Sequence, residues 1–76
     1  MTPTLAAFSA ACRELDHAQA RLRMADAAGA WTPRAPVRHR AWLAAWHDYL
    51  VVERRAYAAF DALTDEDRAT LDVEGP

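Results

Sequence analysis

The sequence predicts an all-α fold: an antiparallel hairpin of two long helices, closed by a short C-terminal helix and assembling as a homodimeric four-helix bundle. Three observations predict it. Apolar residues recur at helical three- and four-residue steps through two stretches of similar length. Glycine and proline interrupt the chain clearly only once, between those stretches. The second stretch has more apolar surface than a single neighbouring helix can cover. With 76 residues the chain is one domain, near the size at which a core alone is marginal.

The first helix is expected over residues 3–28. Thr2-Pro3 is a cap followed by a proline at the first helical position, with Thr4 as a rival cap. Leu5, Phe8, Cys12, Leu15 and Leu22 form its apolar stripe, which Ala11, Ala18 and Ala25 widen. Arg13, Glu14, His17 and Arg21 lie on the other side, and Gly29 is a natural stop. Residues 29–36 form the turn, where Pro33 and Pro36 forbid a continuous helix and Trp31 is expected to fold back on the hairpin end.

The second helix is expected over residues 37–63. At about 100° per residue, Trp42, Trp46, Tyr49, Leu50, Val52, Tyr57, Phe60 and Leu63 spread over roughly 200°, whereas an ordinary core-facing stripe needs little more than about 100°. This helix therefore packs on two sides, and the second side calls for a second copy or another protein. The pattern leaves open which side faces the hairpin. Phe8, Leu15 and Leu22 are expected to interleave with Trp46, Leu50, Tyr57 and Phe60, small residues of one helix against rings of the other. Thr64-Asp65-Glu66-Asp67 opens a third helix over residues 65–72, capped and with acids in its first turn, docked by Leu71 and Val73.

Composition narrows the function classes. All nine basic residues are Arg, with no Lys, Ile or Asn, a bias expected of a GC-rich coding sequence and hence of a high-GC bacterium or its phage. Net charge is −2, so bulk charge attracts no polyanion. Charge is uneven, however: Arg34, Arg38, His39 and Arg40 cluster, and acids dominate from Asp61 onward. No run approaches the roughly 18 apolar residues of a membrane span, and no secretory pattern opens the chain; the expectation is a soluble, cytoplasmic protein.

Glu53 is the unusual residue. It lies near the middle of the apolar arc, with Tyr49 and Tyr57 four residues to either side. A carboxylate there needs a partner: a tyrosine hydroxyl, Arg21 or Arg23 of helix 1, a register-setting group across a dimer, or a basic group on another protein. Elsewhere the chemistry is sparse. His17, His39 and His47 lack the spacing of two metal ligands on one face. Cys12 falls on the apolar stripe as a small core residue, Ser9 is the sole serine, and no phosphate-binding glycine loop exists.

The expectation is a non-enzymatic protein–protein interaction module without metal or cofactor: a small regulator, adaptor, antitoxin-like inhibitor or accessory protein of a phage or mobile element. Trp42, Trp46, Tyr49, Glu53 and Tyr57 form its interface, with Arg38 and Arg54 in a polar rim. The alternative is a small nucleic-acid-binding protein using Arg34, Arg38 and Arg40 at a helix N-terminus, flanked by Trp31 and Trp42.

Overall fold

The first helix, α1 (Pro3–Ala27), starts as its sequence dictates: Thr2 is extended, and its hydroxyl accepts from the Leu5 amide at 3.2 Å. The end follows from Gly29. Its φ of +72° is a left-handed conformation that glycine adopts without strain. This turn lets the Gly29 amide reach the Asp26 carbonyl at 2.9 Å and the Ala30 amide reach Ala25 at 3.0 Å, the paired bonds of a Schellman stop. The second helix is α2 (Pro36–Asp61), opening on a proline, and the third is α3 (Asp65–Glu74). The coordinates form a computed structural model that describes residues 1–30, 34 and 36–74. The expected role of Trp31, the Thr32-Pro33 start and the Val73 side chain lie outside the described residues and side chains.

The two long helices pack antiparallel, and α2 ends two residues before the expected boundary. Its last turn tightens, with the Leu63 amide donating to the Phe60 carbonyl at 3.1 Å. Leu63 is buried just beyond the helix.

The seam is regular. In α1 it comprises Thr4, Phe8, Ala11, Leu15, Ala18, Leu22 and Ala25; in α2, Trp42, Ala45, Tyr49, Val52, Ala56 and Ala59 continue it, with Leu63 just beyond. Every one of these is buried or half-buried, and all fall at alternating three- and four-residue steps, as in a coiled coil. Large and small residues alternate along α1 and are mixed along α2, so rings of one can sit over alanines of the other. This corrects the expected partners of α1. Trp46, Leu50, Tyr57 and Phe60 are all exposed and lie beside the seam, Phe60 meeting Phe8 there with ring centroids 5.8 Å apart.

Register is fixed by contacts at four levels: Phe8 with Phe60, Glu14 with Arg55 at 3.9 Å, Arg21 with Asp48, and Asp26 with the Trp42 indole N–H. The two ion pairs flank one side of the seam. Both are exposed, so each contributes at most about 1 kcal/mol; they specify alignment more than stability. The molecule measures 50 × 22 × 14 Å, little more than one helix thick, so each long helix has a second side without intramolecular cover.

The third helix is attached by a buried acid. Thr64 and Asp67 cap each other: the Asp67 amide donates to the Thr64 hydroxyl and the Thr64 amide to the Asp67 carboxylate, both at 3.1 Å. The same carboxylate accepts from the hydroxyls of Thr2 and Thr4, so one side chain ties the N-terminal ends of α1 and α3 together. It is 1% exposed, the sole buried charged side chain among the described residues.

Candidate protein interface

The candidate interface side of α2 is built on a ladder of rings. His39 stacks on Trp42 at 5.9 Å and 12°, Trp42 on Trp46 at 5.9 Å and 8°, and Trp46 on Tyr49 at 6.0 Å and 30°. Steps of three, four and three residues bring these rings one above the next. The ladder ends at Glu53, whose carboxylate accepts the Tyr49 hydroxyl at 2.7 Å. That bond, made to a carboxylate, is the main reason the Tyr49 hydroxyl is pushed above its ordinary pKa; the Gln19 side chain acts in the opposite sense. Glu53 thus finds its partner within α2. Arg21 is used elsewhere, on Asp48.

The five expected interface residues divide into two groups. Trp42 and Tyr49 belong to the hairpin seam and are half-buried, Trp42 anchored to Asp26 of α1. Trp46 and Tyr57 stand 41% and 66% exposed, and Glu53 is half-buried between them. Three residues absent from the expected interface join them on the open side: Leu43, Leu50 and Phe60, at 46%, 38% and 42% exposure. Leu43 and Leu50 were legible as the same helical stripe, since Leu43, Leu50 and Tyr57 follow one another at seven-residue steps.

Beside this row, an open groove of about 490 Å³ runs between α1 and α2. Phe8, Cys12 and Leu15 line one wall, Ala56, Tyr57 and Phe60 the other, with Gln19, Tyr49 and Glu53 as its polar groups. The opposite side of the hairpin is different in kind: Glu14, His17, Arg21, Asp48 and Arg55 surround a polar hollow there. One broad face is therefore apolar and aromatic and the other ion-paired.

The basic segment has a local structural use. Arg38 donates to the Ala28 carbonyl at 3.4 Å, and His39 Nδ1 lies 3.3 Å from the Ala30 carbonyl. Both meet the C-terminal end of α1, where unpaired carbonyls and the helix dipole favour donors and positive charge. Arg34 and Arg40 are exposed. At the other end, Arg68 lies 4.7 Å over the Phe60 ring and donates to the Phe60 carbonyl, closing the C-terminus of α2 in the same way.

Among the described residues no three His, Cys, Asp or Glu side chains gather as a metal-binding group, and no helix is long and apolar enough to cross a membrane. Asp67 is the polar residue that sequence reasoning treated as one of several first-turn acids. Three hydroxyl and amide donors hold its carboxyl down at about pKa 2, the Thr2 hydroxyl foremost. The Thr64-x-x-Asp67 spacing signalled the cap, but nothing local signalled the contact with Thr2 and Thr4. No family model matches the chain, and neither a curated protein nor a solved structure does.

Proposed function

We propose that this chain is a non-enzymatic interaction module, a small regulator, adaptor, antitoxin-like inhibitor or mobile-element accessory protein, that works by presenting the outer row of α2 to a protein surface. One observation supports this above the rest: Leu43, Trp46, Leu50, Tyr57 and Phe60 are all exposed along a single side of one helix. A contiguous row of large apolar side chains is a usual mark of a protein-binding surface, whereas scattered ones mean little. Aromatic residues supply most of the energy of such contacts. Glu53, bonded to Tyr49 and flanked by rings, adds one directional group. The nucleic-acid alternative has no comparable observation behind it, since Arg38, its central residue, is engaged with the carbonyl end of α1.

Site-specific photo-cross-linking in the host cell tests the proposal. A photoreactive amino acid at Leu50 is expected to give protein adducts, and one at the exposed Ala20 on the outer side of α1 is expected to give none. Absence of any adduct from position 50, whether with a second copy or with another protein, would overturn it.

A further inference from the structure

The outer row of α2 has the spacing of a second helix-packing seam. Leu43, Trp46, Leu50, Glu53, Tyr57 and Phe60 fall at alternating three- and four-residue steps, the same steps as the seam that α1 covers. A row with this spacing fits another helix better than a flat or irregular surface. Resting on the interaction reading above, we propose that the occupant is α2 of a second copy, running antiparallel about a two-fold axis, with Arg40 of each copy paired to Asp61 of the other.

Charge selects both the occupant and the register. Beside the second seam runs an exposed row made of Arg40, His47, Arg54 and Asp61. Neither Arg40 nor Asp61 has an ion-pair partner among the described residues. The hairpin supplies the template for how such flanking rows meet, because its own pairs, Glu14–Arg55 and Arg21–Asp48, lie beside its seam in the same way. With that geometry applied to two antiparallel copies of α2, one alignment sets Leu43 against Phe60, Trp46 against Tyr57 and Leu50 against Glu53. In the flanking rows it sets Arg40 against Asp61 twice, once on each side of the axis. His47 then meets Arg54, which contributes no ion pair. Sliding one heptad in either direction keeps apolar residues in the seam but loses both Arg40–Asp61 pairs and brings like charges together: Arg40 meets Arg54 one way, and Arg54 meets its own copy the other, where His47 faces Asp61. Like charges in register are the usual means by which helices reject a wrong alignment. Glu53, retaining its Tyr49 hydroxyl, is the polar residue within the seam that further restricts sliding.

The test is mass in solution by light scattering across a concentration series, using the full chain. The unmodified protein is expected at twice its 8.5 kDa chain mass. Arg40→Asp and Asp61→Arg, each placing two like-charge contacts in the dimer, are expected to weaken it about tenfold or more. The double variant R40D/D61R restores opposite charges and is expected to return to within about threefold of the original affinity. Both positions are exposed, so helicity by circular dichroism stays constant. Leu50→Glu is expected to leave only monomer. A monomer at millimolar concentration, or a double variant no tighter than the single ones, would overturn this pairing; adducts of Leu50 with a different protein would then keep the interaction reading alone. A dimer indifferent to Leu50→Glu would also overturn this pairing, and that dimer together with no adduct from position 50 would overturn both readings.

Discussion

Tyr57→Ala separates the fold of the hairpin from its use. Tyr57 is 66% exposed in the isolated chain, so about one third of the side chain is in contact. Fully burying a large apolar side chain is worth roughly 1.5–3 kcal/mol, and one third of that is about 0.5–1 kcal/mol. Alanine is the better helix former by about 0.5 kcal/mol, which offsets most of the loss. The net effect on the monomer is then under about 0.5 kcal/mol, or at most a few degrees in Tm. Val52 is 5% exposed, and Val52→Ala removes two buried methyl groups at about 2 kcal/mol, or roughly 8–16 °C. Thermal unfolding compares the two variants, at a protein concentration low enough that association adds no stability. At an interface the same Tyr57 truncation is expected to cost at least about 2 kcal/mol, a thirtyfold loss of affinity. A Tm loss equal to that of Val52→Ala would mean that Tyr57 is a core residue. Unchanged association would mean that the outer row of α2 is not an interface.

Two further outcomes test the frame that holds this face in place. Asp67 titrates at about 2 in the fold, below the ordinary 3.8, so its stabilising effect is complete above the ordinary value and is lost as pH falls from about 4 through about 2. The Tm gap between the unmodified chain and Asp67→Asn is therefore expected to be widest near neutral pH and to narrow over that window; a gap constant from pH 7 to pH 2 would contradict the assignment. Ala18 is fully buried in the seam, so Ala18→Leu is expected to destabilise by about 1–3 kcal/mol. Ala20→Leu on the exposed side is expected to stay within about 0.5 kcal/mol, and equal denaturation midpoints for the two would mean that the helices are not closely packed.

Local chemistry made the helices legible and left their mutual orientation open. Thr2-Pro3, Gly29 and Thr64-x-x-Asp67 each satisfy backbone groups within a few residues, so their role can be read where they stand. The two-sided apolar arc of α2 was equally visible. Which half of it α1 would take was not, because Trp42 and Trp46 are alike in apolar bulk and both lie within the arc. Alanines decide the matter: Ala45, Ala56 and Ala59 lie with Trp42, Tyr49 and Val52 on one side, and that side lets a helix approach more closely than the outer row does. The contact of Asp67 with Thr2 and Thr4 spans more than sixty residues of sequence, and no spacing rule reaches that far.

The distribution of ion pairs gives the two faces of the hairpin separate tasks. Both cross-helix pairs, Glu14–Arg55 and Arg21–Asp48, lie beside the seam on the face away from the groove. Charged groups that can satisfy one another in water have little reason to exclude it, and such a face suits solvent. On the groove face the corresponding positions hold Cys12, Gln19 and Asp26 in α1 and Trp46, Glu53 and Phe60 in α2, and no cross-helix salt bridge forms there among the described residues. The ion-paired contribution to register therefore comes from the solvent face, and the groove face adds the Phe8–Phe60 contact and the bond from Trp42 to Asp26. The rings of the groove face stack along α2, Trp42 on Trp46 and Trp46 on Tyr49, so that much of the ordering of these side chains has already occurred before any partner arrives. Side chains held in this way lose less rotamer freedom on binding, which favours the proposed use of a single helix as the interface of a chain of 76 residues.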